Sequence, residues 1–291
     1  MIARCPAKVN LTLRLVGRRP DGYHELRTVF QVVDLWDTLE AEAASDLHLR
    51  CDAPGVATDG TNLVLRAAVA LREAAGRPEL GASLVLRKRI PVGGGMGGGS
   101  SDAAGALLLL SRLWDLGLPG RRMRALAADL GSDVPFFLQG GTALGRGRGE
   151  DLVPLPFAGP RPILLGIPPF GTSTAEVYAA LTAGGADVSL RRLSAGNWRK
   201  DKEFSAPRND LEATVRTRWP ELGEFRDALA REGAMQASVA GSGSTVFGVF
   251  AGEAQRRRAA EALGRVFETW KLLETRAIRS AAHVETGGTS G

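Results

Sequence analysis

The residues of this chain best suited to chemistry lie in residues 91–103, which read Pro-Val-Gly-Gly-Gly-Met-Gly-Gly-Gly-Ser-Ser-Asp-Ala. Six of these thirteen residues are glycine. A simple reversal of the chain needs one or two residues without a Cβ. A loop whose backbone lies against a ligand, with several N–H groups turned toward it, needs more. Ser100 and Ser101 follow at the spacing of a helix N-cap and first turn, so hydroxyls and free amides converge on one place. The pattern describes a phosphate cradle at a helix N-terminus, although a serine that merely caps the helix has the same spacing.

Glycine-rich phosphate loops come in several kinds, and three can be set aside. A Walker loop carries lysine before its hydroxyl residue, and Gly99 stands there instead. The dinucleotide fingerprint G-x-G-x-x-G is met by Gly93, Gly95 and Gly98, but a run this rich in glycine meets it by chance. That fingerprint also follows the first strand of its unit and has an acidic residue about 20 positions on. Here several strands precede the loop, and Asp115 lies in a helical stretch. A protein-kinase loop requires later His-Arg-Asp and Asp-Phe-Gly motifs, which are absent.

Other residues with chemical potential are scattered along the chain. Lys8, one of only five lysines, stands at the entrance of a strand, as a placed point charge or a solvated strand end. Asp133 lies in Gly131-Ser132-Asp133-Val134-Pro135, as a turn or capping residue or as a base. Tyr23 and His24 leave a Pro20-Asp21-Gly22 turn signature. Thr172-Ser173-Thr174 precede a helical stretch that carries Tyr178, which either packs in the core or faces a ligand. Gly241-Ser242-Gly243-Ser244 forms a second small-residue loop between two strand-like runs.

The elements that must position these residues follow from periodicity. Val9, Leu11, Leu13 and Leu15 alternate with polar residues and predict a strand over 3–16. Further strands are predicted over about 28–35, 37–43 and 46–51, then a helix over 62–75 with Leu63, Ala67, Ala70 and Leu71 on one face. A strand over 83–90 feeds the glycine loop, a buried helix covers 103–116 and another covers 121–130. The pattern then breaks over 131–149. Pro154, Pro156, Gly159, Pro160 and Pro162 mark a boundary, giving domains over 1–157 and 158–284 and a disordered tail over 285–291. The second half reads as a strand over 163–167, a helix over 175–181 and a polar loop over 182–204. Helices follow over 210–218 and 222–232, strands over 237–240 and 245–250, a helix over 253–264 and a strand over 270–278. Strands and helices interleave without a βαβ rhythm, so the expected class is α+β in both halves.

Composition bounds the rest. The 291 residues are 44% hydrophobic and 24% charged, as in a globular protein, and the net charge of +5 favours anionic partners. Two cysteines build no disulfide framework, and no Cys/His cluster has zinc-site spacing. No apolar run has the length of a bilayer span or of a signal peptide, so a cytoplasmic protein is expected, with no membrane partner. The basic runs Arg121-Arg122 with Arg124, and Arg256-Arg257-Arg258, lack interleaved aromatics and read as solvated faces rather than a nucleic-acid site.

In combination the motifs resemble the GHMP small-molecule kinases. Three family motifs occur in order: the strand with Lys8 and Asn10, the P-x-G-G-G-x-G-G-G-S-S loop, and Val239-Ala240-Gly241-Ser242-Gly243-Ser244. The likeness is greater to the branch whose acceptor is a cytidine-diphosphate-linked methylerythritol. It rests on Ala7-Lys8-Val9-Asn10-Leu11, on Arg19-Pro20-Asp21-Gly22-Tyr23-His24-Glu25-Leu26, on residues 131–137, on Gly140-Gly141-Thr142-Ala143 with Gly147-Arg148-Gly149-Glu150, and on Asn209-Asp210-Leu211-Glu212. Met96 and Asp102 depart from the pattern, where leucine and asparagine are usual; a carboxylate there could repel ATP or help hold Mg²⁺.

The resemblance implies a two-domain α+β fold, with an N-terminal ATP-binding domain like domain 2 of ribosomal protein S5 and a ferredoxin-like C-terminal domain. The active site is expected in the cleft between them. It implies ATP with Mg²⁺, Asp133 as base with Lys8 assisting, and phosphorylation of a 2-hydroxyl on the acceptor. Pro91, Gly93, Gly94, Gly95, Gly97, Gly98, Gly99, Ser100 and Ser101 are expected to hold ATP with Gly241, Ser242 and Gly243. Asn10, Tyr23, His24, Thr174 and Tyr178 are expected to hold the acceptor, and the metal ligands stay open. The expected partner is a small molecule only, and the expected state a monomer or weak homodimer. A kinase of the same family with another acceptor, and a nucleotide-binding protein without catalysis, are the rival readings.

Overall fold

The computed structural model describes residues 1–19, 23–183 and 208–285. The Pro20-Asp21-Gly22 turn, nearly all of the predicted 182–204 loop and the tail beyond Glu285 lie outside the described residues. The chain opens with two long antiparallel strands, β1 (Ile2–Arg18) and β2 (His24–Ala44). The strands expected separately over 28–35 and 37–43 are thus one. The register steps from Pro6 opposite Trp36 to Ala7 opposite Val33, so Asp34 and Leu35 bulge out and the ladder resumes. The bulge breaks the hydrophobic alternation without ending the strand. Ala3, Cys5, Ala7 and Val9 of β1 are all fully buried.

β3 (Leu47–Cys51) leads to α1 (Leu63–Ala75), capped by the Asn62 side chain, which accepts from the Val64 amide at 2.9 Å. β4 (Gly81–Arg87) then runs into the glycine loop. α2 (Gly98–Leu113) starts five residues before its predicted first residue, Ala103, because Gly97 takes a left-handed conformation at φ 71° and the last two glycines and both serines enter the helix. Its N-cap is therefore Gly97, not a serine. α3 (Gly120–Leu130) follows, then a short α4 (Val134–Gln139) within the stretch expected to be irregular. Pro135 falls in its first turn, where a missing N–H costs nothing.

β5 (Thr142–Gly147) and β6 (Asp151–Leu155) form a hairpin on β2, so Pro154 of the predicted boundary region lies within a strand and Pro156 abuts it. Gly145 is not a loop glycine. A Cβ there would stand 2.7 Å from the Phe30 ring.

After a connection over 156–161, β7 (Pro162–Ile167), α5 (Thr174–Ala183), α6 (Glu212–Arg218), α7 (Pro220–Arg231), β8 (Gln236–Val239), β9 (Val246–Val249), α8 (Glu253–Val266) and β10 (Lys271–Arg276) build the second half. Its sheet has the order β10-β7-β9-β8. The chain finally returns as β11 (His283–Glu285), which pairs with β1 and completes a first sheet in the order β11-β1-β2-β4-β3. Glu285 therefore belongs to a strand rather than a tail. No helix among the described residues is long and apolar enough to cross a membrane.

Helices α1 to α4 pack on the first sheet over a core that includes Leu107, Leu110, Trp114, Phe136 and Phe137. A second core lies between the second sheet and its helices, around Leu164, Phe225 and Phe250. A third joins the halves: Ala7, Val9, Ile90 and Met96 pack with Ile163, Leu165, Ala240 and Phe247. Met96 is 1% exposed, so this departure from the family pattern is an apolar plug of similar volume to leucine. Around it the loops touch through backbone. The Thr245 amide donates to Gly94 O at 3.2 Å, and the Lys8 amide donates to Met96 O at 3.0 Å. A Cβ on Gly95, at φ 72°, would stand 2.1 Å from Ala240 O and 2.6 Å from Gly243 O. Neither carbonyl can swing aside as a side chain would. Gly95→Ala is expected to cost about 2 kcal/mol or more, read as a lowered midpoint in urea unfolding; Gly252→Ala, in extended backbone with nothing within 4 Å, should leave packing undisturbed.

Candidate active site

A cleft of about 1130 Å³ opens between the two halves. β1 supplies its floor, and residues two apart on a strand face the same way, which brings Lys8 and Asn10 to it together. Lys8 is 4% exposed, and its Nζ donates to Asn10 Oδ1 at 2.8 Å. Asn10 Nδ2 donates to Thr28 Oγ1 at 2.7 Å, and that hydroxyl donates to Thr12 O at 2.8 Å. The chain of donors leaves one orientation for the Asn10 amide and aims the lysine. The same Nζ lies 3.4 Å from Asp133 Oδ2 and 5.6 Å from the Phe30 ring centre. Asp133 occupies the N-cap position of α4, yet its side chain makes no capping bond. It is 27% exposed, toward the cleft.

The glycine loop forms one wall. Gly93, Gly95 and Gly97 have φ of 72°, 72° and 71°, a conformation that favours glycine at each. No side chain caps α2, so its first-turn amides have no intrahelical acceptor and no capping oxygen. Gly95, Gly97 and Ser100 line the cleft. Pro91, Gly93, Gly94, Gly98 and Gly99 belong to the same loop and turn but lie outside that lining. Ser101 is fully buried, and its hydroxyl has no partner among the described residues. Asp102 is likewise enclosed, 2% exposed, and bonds Lys88 Nζ at 2.6 Å rather than the cleft.

The second loop closes the opposite side. Gly241 and Ser242 line the cleft, while Gly243 is buried behind them. Asn209 holds this loop: its Nδ2 donates to Val239 O at 3.0 Å and Gly241 O at 2.7 Å. Thr174 Oγ1 lies 2.8 Å from Ser242 Oγ, and Thr172 Oγ1 donates to Ser242 O at 3.0 Å. The capping contact of α5 comes instead from Ser173, which accepts from the Glu176 amide at 3.4 Å.

The far end of the cleft is aromatic and basic. The His24 and Tyr178 rings lie 5.2 Å apart at 34°, and Tyr178 also packs on the second core, so it joins both of its expected surroundings. Burial, then the charge of Asp133, pushes the Tyr178 hydroxyl up to about 12. Burial, then the Arg18 charge, lowers the His24 imidazole from its ordinary value, which leaves it neutral at pH 7. Tyr23 is 58% exposed with the Arg148 guanidinium 5.3 Å from its ring centre. Arg18 and Arg148 both line this end. Neither arginine has a signal in the sequence that marks it as a contact, and neither does Thr28. Arg148 lies inside the Gly-Arg-Gly-Glu motif, whereas Thr28 is recognisable only once β1 and β2 are paired.

Residues 62–141 match the family GHMP kinases N terminal domain, and residues 184–269 match GHMP kinases C terminal. A relative from Pelotomaculum thermopropionicum, 4-diphosphocytidyl-2-C-methyl-D-erythritol kinase, is 43% identical over 278 residues, covering 93% of this chain and 95% of its own. The chain belongs to the GHMP kinases. A relative of the same name from Pseudomonas syringae pv. syringae is 42% identical over 88% of this chain and 87% of its own. Among solved structures, 4-(cytidine 5'-diphospho)-2C-methyl-D-erythritol kinase superposes with a TM-score of 0.75 at 38% identity, covering 95% of this chain and 99% of that one. Mevalonate kinase of Methanococcus jannaschii superposes at 0.70 with 14% identity, over 96% of this chain and 98% of its own, and shares the fold.

The cradle makes a direct prediction. A Cβ on Gly97 would meet the Phe137 ring at 2.8 Å and Lys8 Cε at 3.2 Å, in a conformation strained for any other residue. Gly97→Ala should therefore weaken ATP binding on the order of tenfold or more, measured by calorimetry. Wild-type affinity in that variant would detach the cradle from nucleotide binding.

Proposed function

We propose that this GHMP kinase transfers the γ-phosphoryl group of ATP to the 2-hydroxyl of 4-diphosphocytidyl-2-C-methyl-D-erythritol, on the non-mevalonate route to isoprenoid precursors. The observation that carries the proposal is the joining of three parts in one cleft: the uncapped N-terminus of α2, which reaches it at Gly97 and Ser100, the Lys8–Asp133 pair, and an end made of His24, Tyr178, Arg18 and Arg148. Those parts suit a triphosphate, an alcohol, and a cytosine with its diphosphate. The names of the 43% and 42% identical relatives support the same acceptor.

Phosphoryl transfer passes through a loose transition state, so positioning and charge stabilisation do most of the work. The amides of residues 98–100 and the positive end of α2 hold the phosphates. Lys8, aimed by Asn10, lies between Asp133 and the acceptor oxygen; it stabilises the carboxylate and the oxygen's developing charge. Asp133 takes the proton late, when the hydroxyl has already gained acidity from bonding to phosphorus. His24 and Tyr178 hold the base, with Tyr178 keeping its proton as a donor throughout the physiological range. Arg18 and Arg148 offset the diphosphate charge.

A hard cation bound mainly to phosphates and water fits the few oxygen donors at the cradle, where the Ser100 hydroxyl is the candidate protein ligand for Mg²⁺. Its chemistry there is neutralisation of phosphate charge.

The decisive experiment is ADP release on adding the cytidyl acceptor, compared with mevalonate and homoserine. Turnover with the cytidyl acceptor alone, competitively inhibited by CMP, is expected. Turnover with mevalonate or homoserine in its place would favour a family member of different acceptor. Asp133→Ala should lower kcat by at least about 10²-fold while ATP still binds, and near-normal kcat in this variant would falsify the assignment of the base.

A further inference from the structure

A charge cluster is sealed directly beneath the glycine loop, outside the cleft. Asp37 of β2 is fully buried, Asp102 of α2 is 2% exposed, and the Lys88 side chain, just beyond β4, is 7% exposed. Lys88 Nζ bonds both carboxylates, Asp37 through Oδ2 and Asp102 through Oδ2 at 2.6 Å. The other oxygen of Asp37 accepts from the amides of Arg89 at 2.5 Å and Ile90 at 2.9 Å. Those amides begin the segment that enters Pro91 and the loop. A Cβ on Gly98, the first residue of α2, would stand 3.1 Å from Lys88 Nζ. One ammonium thus ties β2, the exit of β4 and the start of α2 together.

The arrangement is costly for a purely structural purpose. Burying three ionisable groups carries a desolvation penalty that their mutual attraction only partly returns, and apolar residues of equal volume would pack at least as well. Directional bonds do fix position more narrowly than apolar contact. The charge count matters as well. Two carboxylates share one ammonium, and Asp102 Oδ1 has no partner among the described residues. The groups that face Asp102 are Lys88 from the exit of β4, Asp37 from β2 and the buried Cys5 thiol from β1. Burial, opposed by Lys88 and reinforced by Asp37, pushes the Asp102 carboxyl up to about 7. Once ionised, this carboxylate lies close to the same positive helix end that the nucleotide phosphates would use.

We propose that Asp37, Lys88 and Asp102 are positioning residues of the nucleotide cradle. Lys88, held by Asp37, fixes the first turns of α2 through Asp102 so that their free amides meet the ATP phosphates. The inference rests on the reading of the cradle as the ATP site.

The test is calorimetric titration of ATP into the wild-type protein, Asp102→Ala and Asp102→Asn, with KM for both substrates and thermal unfolding alongside. Asp102→Ala leaves the Asp37–Lys88 pair in place; it should weaken ATP binding on the order of tenfold and leave the acceptor KM within about twofold. Asp102→Asn keeps an oxygen for Lys88, so it should restore ATP affinity. Unchanged ATP affinity in Asp102→Ala, with or without a lower Tm, overturns the proposal, as do equal losses for both substrates or failure of asparagine to rescue. If Asp102→Ala does not fold, Asp102→Ser, whose hydroxyl stops short of Lys88, is read in its place, and unchanged ATP affinity in it overturns the proposal. Absence of ATP binding in the wild-type protein would overturn this inference through its premise, the assignment of the cradle; the variant outcomes above leave that assignment intact.

Discussion

The backbone of the glycine loop rests on the backbone of the turn at 240–243, and the geometry of the cleft depends on this contact. Gly95 would bring a Cβ to 2.1 Å of Ala240 O, so the loops approach as closely as they do only because no side chain intervenes. Lys8 is held in the same way. A Cβ on Gly97 would come within 3.2 Å of its Cε, and one on Gly241 within 3.6 Å of its Nζ. Glycines from the two halves of the chain leave a slot, and the lysine of β1 fills it. The halves are further locked by the shared core around Met96 and Ile163, which makes the slot a rigid feature.

Inside that slot the polar groups form a satisfied series: Lys8 to Asn10, Asn10 to Thr28, and Thr28 to the Thr12 carbonyl. A buried series of this kind is intolerant of single losses, because each member would leave a partner unpaired in a dry site. Exposed pairs such as Arg77–Glu79 and Arg216–Asp227 are different in kind. Screened by water, they contribute little. The lysine's position is set by neighbours that are themselves fixed.

Much of this was legible in the sequence where a local signal existed. Alternation gave β1, helical periodicity gave α1, α3 and α8, and the Gly/Ser runs gave both loops. The failures share a cause: the deciding contact lay far along the chain. β2 read as two strands because Asp34 and Leu35 bulge opposite Pro6, which is visible only when β1 is alongside. β5 read as irregular because Gly145 and Gly147 looked like loop residues, although at Gly145 the reason is the Phe30 ring. Spacing also could not tell Ser100, which faces the cleft, from Ser101, which faces the core. Those two differ only by the direction in which Gly97 launches α2. Thr28 and Lys88 belong to no motif, and Asn209 belongs to one that gives it no role. Each acts by holding another residue, and a sequence motif does not register that kind of role.

Tyr178 shows how one side chain can satisfy two demands that the sequence could only offer as alternatives. Its ring packs against the second core on one side and meets His24 on the other. A tyrosine has few rotatable bonds, and partial burial removes most of the freedom that remains, so a flat ligand stacking there would immobilise little that is not already fixed. Core packing therefore leaves an already fixed ring at the wall of the cleft. The same economy applies to Met96, whose apolar side chain anchors in the joint core while its carbonyl accepts the Lys8 amide. Packing the loop down also sets the lysine in place, so the stability of the joint and the geometry of the cleft are secured by the same contacts.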